Sequence, residues 1–263
     1  MEQYIIYEKQ DGVGLIKFNR PKVLNAFLIS MIDELLDIIE DARSDDAVRA
    51  MVLNGNGRAF SAGIDLAEQA QFFAGEMTLK TARQHLMLLQ DLTRALVSLQ
   101  KPLIAAVNGA AVGIGAEIAI GCDVRIASEE AYFMFAEVKR GLYETNGVTF
   151  ILPRLVGHGR AMEMMLTGDR YGASEALAAG LVTHVLPSDK LLPFALDMAG
   201  RMAANAPISM RLVKTGMGRT YNLDLEGMLQ WEVDGMMECL CSQDLLEGVQ
   251  AFLEKREPRY SGK

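Results

Sequence analysis

Several features are scarce in this 263-residue chain, and each scarcity excludes something. Its three cysteines, Cys122, Cys239 and Cys241, give neither a disulfide framework nor the C-x-x-C spacing of zinc and redox sites. Cys122 reads as a small helix-packing residue. The three histidines, His85, His158 and His184, are too scattered for a metal cluster, so no metal is expected. Basic residues are outnumbered, 26 against 34 acidic, and the net charge of -8 argues against nucleic acid as the main partner. A local basic pocket for a phosphorylated ligand stays open. No apolar run reaches the roughly 20 residues that cross a bilayer. The opening MEQYIIYEKQ lacks the basic and then apolar blocks of a signal peptide. A reduced, cytoplasmic setting without membrane contact is the expectation. No G-x-x-x-x-G-K-[ST] phosphate loop and no G-x-S-x-G elbow occur. Gly113-x-Gly115 fails as a dinucleotide fingerprint because Ile118 occupies the third glycine position.

Hydrophobic residues make up 50% of the chain and charged ones 23%, enough for a sizeable core. Tyr4–Glu8 and Val13–Phe18, split by Asp11-Gly12, read as a hairpin. Pro21 breaks the second strand. Leu28–Ala42 carries Met31, Ile32, Leu35, Leu36, Ile38 and Ile39 at helical spacing. Val48–Leu53 is a short buried strand running into the loop Asn54–Asp65. Glu68–Gly75 fits neither period. Leu79–Leu99 is a long amphipathic helix, and Leu103–Val107 and Val124–Ala127 are strands on either side of a helix of small residues. The alternation of strand and helix predicts an α/β fold with a mostly parallel sheet.

Tyr132–Phe135 reads as a short strand and Gly141–Gly147 as a loop. Beyond them the pattern turns helical: Gly159–Leu166, then Glu175–Ala179 with Ser174 as N-cap and Gly180 as stop. Leu181–Leu186 reads as a last strand. Helices follow at Ile208–Tyr221 (opened by Pro207), Leu225–Cys241 and Leu245–Lys255. An all-helical tail of this size is expected to pack on the core or on a neighbouring subunit.

The chemistry concentrates in AAVNGAAVGIGAEIAIGCDVRI, residues 105–126, where a strand passes through a glycine turn into a helix. Glu117 stands there among Ile114, Ala116, Ile118, Ala119 and Ile120. Ionising it in such surroundings is costly, and burial raises a glutamate pKa toward the range useful for proton transfer. Glu137 follows in FMFAEVKRGL, again in an apolar setting. The alternative for Glu117 is a cap or a pair within its own helix. Two glycine turns, NGNGRAFSAGID at 54–65 and NGAAVGIG at 108–115, each end a strand. Facing one another, they would aim two backbone N–H donors at one oxygen, which is what an enolate or tetrahedral oxyanion requires.

NRPKVLNAF at 19–27, GRAFSAGIDL at 57–66, NGAAVGIGAEIAIGCDVRIA at 108–127 and AEVKRGL at 136–142 together resemble the crotonase superfamily, the enoyl-CoA hydratase/isomerase family. EALAAGLVTHVLP at 175–187 and AFLEKREPRY at 251–260 extend the resemblance over nearly the whole chain. It implies a spiral of β-β-α units over residues 1–200 and a helical C-terminal region, 201–263, that assembles trimers or dimers of trimers. It also implies a coenzyme A thioester substrate and no cofactor. By the same resemblance the N–H groups of Ile64 and Ile114 form the oxyanion hole, and Glu117 and Glu137 are the catalytic acid/base pair of a hydratase. Many relatives have glycine where Ile114 stands, a change that alters pocket shape more than chemistry.

Lys22, Ala26, Arg58, Ala62 and Asp65 fall where the family contacts coenzyme A. Phe252 and Lys255 match the pair that reaches the coenzyme from a neighbouring subunit. One stretch departs from the family. After AEVKRGL the chain reads YETNGVTFILPRLVG, with Glu144 in place of a proline and Thr145 and Asn146 in place of small residues. Leu142, Glu144 and Thr145 are candidates for the acyl-pocket loop. Glu144 is expected to face water, the alternative being a third acid at the pocket. The favoured activity is addition of water to a 2-enoyl-CoA, the alternatives being an enoyl-CoA isomerase using Glu137 and a non-catalytic acyl-CoA or partner-binding member.

Overall fold

The computed structural model describes residues 3–75 and 78–263. A tight turn at Asp11-Gly12 joins β1 (Ile5–Gln10) and β2 (Val13–Phe18), which pair antiparallel with Gln10 opposite Val13. A 3-10 turn at Pro21–Val23 leads to α1 (Ile29–Ser44). Then come β3 (Ala50–Gly55), β4 (Ala59–Ser61), α2 (Leu66–Gly75) and α3 (Leu79–Ser98). Next are β5 (Leu103–Val107), β6 (Ala110–Val112), α4 (Ile114–Gly121), β7 (Val124–Ser128) and β8 (Tyr132–Met134). After a second 3-10 turn at Glu137–Arg140 follow α5 (Val148–Val156), α6 (His158–Thr167), β9 (Tyr171–Gly172) and α7 (Ala173–Ala178). The chain closes with β10 (His184–Leu186), α8 (Ser188–Ala203), α9 (Pro207–Arg219), α10 (Leu225–Leu240) and α11 (Gln243–Glu254).

Two sheets result. The larger runs β1-β2-β3-β5-β7-β10 and is parallel after its first pair. The smaller runs β4-β6-β8-β9, with only β8 and β9 antiparallel. The chain gives one strand to each sheet at β3/β4, β5/β6 and β7/β8, with helices between. This is the β-β-α spiral the resemblance implied. The three-residue strands β4 and β6 lie inside the stretches read from sequence as glycine turns, and their partner, Ala59 against Ala110, is far away in the chain.

Both faces of the larger sheet are buried, as parallel strands require. Side chains alternate along each strand. Ile16, Phe18, Met51, Leu53, Leu103 and Ala105 enter the main core with α1, α3 and α4. Leu15, Ala50, Val52, Ile104 and Ala106 face Leu191, Ala195, Ala199 and Ala203 of α8. Phe18 anchors the main core, with Phe27 and Phe60 edge-on to it at 4.8 and 5.1 Å.

The structure corrects the reading in places. Glu68–Gly75 belongs to a helix, α2. Ser174 is no cap: Gly172 precedes α7, and the Glu175 carboxylate accepts its N–H at 2.8 Å. The last strand is half as long as expected, because Thr183 closes onto Arg125 before β10 begins. Helices α5 and α8 add to the elements expected from sequence.

Candidate active site

The first turn of the site connects β4 to α2. Along it the N–H of Ala62 donates to the Leu24 carbonyl at 2.9 Å, that of Gly63 to Ser61 Oγ at 3.2 Å and that of Asp65 to the Phe27 carbonyl at 2.8 Å. The N–H of Ile64 has no acceptor among the described residues. Gly63 stands at φ +104°, and a Cβ there would come within 3.2 Å of the Val112 carbonyl, so glycine lets this turn lie against the next. The second turn connects β6 to α4. Ile114 is the first residue of α4, and its N–H has no acceptor within the helix. Gly113, at φ +50°, brings that turn up to Glu137, whose Oε1 would lie 3.1 Å from an added Cβ. Ile64 and Ile114 line one cavity of about 450 Å³.

Three carboxyl groups converge on this place. Glu117, on the fully buried α4, is 6% exposed and reaches the cavity wall. Its Oε2 accepts from Asn146 Nδ2. Burial first, and then the charge of Glu137, push Glu117 up to about 8, while the Asn146 amide pulls the other way. Glu137 opens the second 3-10 turn and lines the same wall, its Oε2 without a hydrogen-bond partner among the described residues. Glu144 is the third, and here the expectation of a water-facing loop residue fails. Glu144 is 6% exposed, whereas its neighbour Tyr143 is 73% exposed. The loop between the 3-10 turn and α5 turns one outward and the other inward. Burial first, then Glu137 and Glu117, push Glu144 up to about 9. One oxygen from each carboxyl lies within 4.8 Å of the others, close enough for a single cation or for shared protons.

The remaining candidates divide. Thr145 and Leu142 line the cavity, as expected of an acyl-pocket loop; Glu144 is not among the residues that line it. Ala62 also lines it. Asp65 is occupied: Oδ2 pairs with Arg20 Nη1 at 3.0 Å, and Oδ1 accepts the Ala67 N–H at 3.0 Å at the start of α2. The Ala26 carbonyl accepts from the same guanidinium at 2.5 Å. Lys22 and Arg58 are exposed and make no ion pair among the described residues. Their turns adjoin, since a Cβ on Gly57 would lie 2.9 Å from Pro21 Cβ. Phe252 and Lys255 lie near the end of α11, outside the cavity wall, and Phe252 is 82% exposed.

Sequence reasoning missed part of the lining. His85, Leu86 and Leu89 of α3 form one wall, with Arg140 and Tyr143 at another. The available signal was the width of the apolar stripe of α3. Leu86 and Met87 are 43% and 50% exposed, so that helix has more apolar surface than the core uses. Cys122, by contrast, is buried as expected, its Sγ donating to the Ile118 carbonyl at 3.3 Å.

A spiral of two sheets, with paired strand-end turns and a carboxyl cluster at one cavity, defines the class: a crotonase-fold protein. The family model for enoyl-CoA hydratase/isomerase matches residues 8–263. The chain is 36% identical to the crotonyl-CoA hydratase of Syntrophomonas wolfei over 98% of both chains. It is 34% identical to the 1,2-epoxyphenylacetyl-CoA isomerase of Escherichia coli over 100% of both. The crystal structure of an enoyl-CoA hydratase from Bacillus anthracis superposes with a TM-score of 0.94 at 35% identity, covering 99% of this chain and 100% of that one. The chain belongs to the enoyl-CoA hydratase/isomerase family of the crotonase superfamily.

Proposed function

We propose that this chain adds water across the 2,3 double bond of a 2-enoyl-CoA thioester. The observation that carries the reading is the meeting of Glu117, Glu137 and the unengaged N–H groups of Ile64 and Ile114 at one cavity. The thioester oxygen is assigned to the two N–H groups, which meet the negative charge it gains as the enolate forms. Water is held between the two carboxyl groups. As its oxygen bonds to the β-carbon, one carboxylate takes its proton and the other carboxyl gives a proton to the α-carbon. Burial and the neighbouring charge of Glu137 suit this division, because they raise Glu117 to about 8 and so keep a proton on it near neutrality. Water and proton transfer are both within reach of these groups, so the reading calls for no metal or cofactor.

Lys22 and Arg58, exposed on adjoining turns, are assigned to the coenzyme phosphates, and the backbone at Ala26, Ala62 and Asp65 to the coenzyme beside them. Phe252 and Lys255 are assigned to a neighbouring subunit's coenzyme. This goes with a core at 1–200 and an assembly region at 201–263 forming a trimer or a dimer of trimers. The apolar surface left on α9 to α11 supports assembly. Three free cysteines fit a reducing cytoplasm, and among the described residues no helix is long and apolar enough to cross a membrane.

A second reading, enoyl-CoA isomerisation through Glu137, is favoured by the isomerase at 34% identity. A purely binding protein gains nothing from buried carboxyls that lack partners. The test is turnover against short, medium, branched and aryl 2-enoyl-CoA thioesters and their 3-enoyl isomers, read by mass. Gain of one water on a 2-enoyl member is expected. A double-bond shift without water would move the assignment to the isomerase.

A further inference from the structure

Glu144 has no role in the scheme above, yet the fold buries it beside both proposed catalytic carboxyls. Neither of its oxygens has a hydrogen-bond partner among the described residues, and Glu137 Oε2 lacks one too. Two ionised carboxylates only accept, so two unpartnered carboxyls at this range are satisfied when one of them carries a proton and donates to the other. One oxygen of the Glu144 carboxyl lies within 4.8 Å of one from Glu137. Its charged neighbours are Glu137, from the 3-10 turn, and Glu117, from α4, both acidic. His85 from α3, Glu68 from α2 and Arg140 and Tyr143 from the loop region line the same cavity. Leaving a buried carboxylate ionised beside two others is the costliest arrangement, and a neutral acid is the one that closes the hydrogen bonding.

We propose that Glu144 is a positioning residue that works as a neutral carboxylic acid, donating its proton in a hydrogen bond to Glu137 and so fixing that side chain toward the bound thioester. It touches no reacting atom. In its neutral form it adds no charge beside Glu117 and Glu137. The proposal rests on the hydratase reading for its kinetic consequences only.

The test uses two variants of the full chain. In Glu144→Gln the amide N–H replaces the acid O–H as donor, so kcat near neutral pH should stay within about twofold of wild type. Its kcat/KM should hold to higher pH than the wild type, because the charge that Glu144 gains as pH rises through about 9 is gone. Glu144→Leu, which has no donor, should lose about tenfold in kcat with KM little changed. Substrate-free infrared difference spectra at neutral pH should show the carbonyl stretch of one protonated carboxyl lost from wild type to Glu144→Gln. A Gln variant as slow as the Leu variant, or a difference spectrum without that band, would overturn the proposal. The band needs no turnover. A silent thioester panel with the band still lost would therefore overturn the hydratase reading and leave the protonated Glu144 standing.

Discussion

In the sheet core Phe18, Phe27, Phe60 and Phe133 are each fully buried, while in the last three helices Leu225, Leu246, Phe252 and Leu253 are 71–82% exposed. No residue of α10 is buried at all. The difference separates what one chain completes alone from what it leaves for contact. Sheet and helices α1 to α8 close both faces of the larger sheet and set the carboxyl cluster inside. Helices α9 to α11 present apolar surface that water does not stabilise, and a second copy of the chain is the assigned cover.

The contrast can be broken first in the core. Phe133→Ala empties a fully buried ring position and should cost about 3–5 kcal/mol of stability, read by denaturant unfolding. The same truncation at Leu246, on the exposed side of α11, should cost far less within one chain and act on assembly instead. A weaker but more telling intervention pairs Leu246→Asp with Phe252→Asp. At micromolar concentration light scattering should read an oligomer for the wild type and a monomer for this pair. A wild-type monomer would remove the reason for the exposed face.

The smallest expected effect separates the two regions by the sign of their pH response. Glu117 in the folded chain holds its proton up to about 8, whereas an unfolded glutamate releases it near 4.5. Between those values the folded state binds the extra proton, so stability falls as pH rises. Glu144 extends the window to about 9. In the tail, hydrogen bonds from the Arg256 guanidinium hold the Glu247 carboxyl down at about 2. Its contribution is present above 4.5 and is lost as pH falls toward 2. The melting temperature should drop by a few degrees from pH 5 to pH 9, less steeply in Glu117→Gln and Glu144→Gln. Glu247→Gln should change only the acid side. Equal slopes in all variants would contradict the buried cluster.

Much of this was legible in the chain. The run around Glu117 announces a buried acid because the apolar neighbours are local, and strand spacing found β1, β2, β5 and β7 to within a residue or two. The four ordered motifs implied the spiral. What local sequence did not carry was set by distant contacts. The strands β4 and β6 exist only because Ala59 meets Ala110 and Ala111 meets Phe133. Glu144 reads as a loop charge until the fold buries it beside Glu117 and Glu137. Asn54 and Asn108 likewise act through distant contacts. Asn54 Nδ2 donates to the Ala106 carbonyl at 2.8 Å, and Asn108 Oδ1 accepts the Gly55 N–H at 3.0 Å. These bonds tie the two glycine stretches to each other, a job that spacing alone does not reveal.

The central claim is that Glu117 and Glu137 act on a thioester held by two backbone N–H groups. Its most direct test is turnover of a 2-enoyl-CoA by Glu137→Gln, with binding of the same thioester measured in parallel by calorimetry. Loss of a positioned acid/base should cut kcat by about 10²–10⁴-fold while binding stays within reach of the wild type. Hydration at the wild-type rate in that variant would contradict the account.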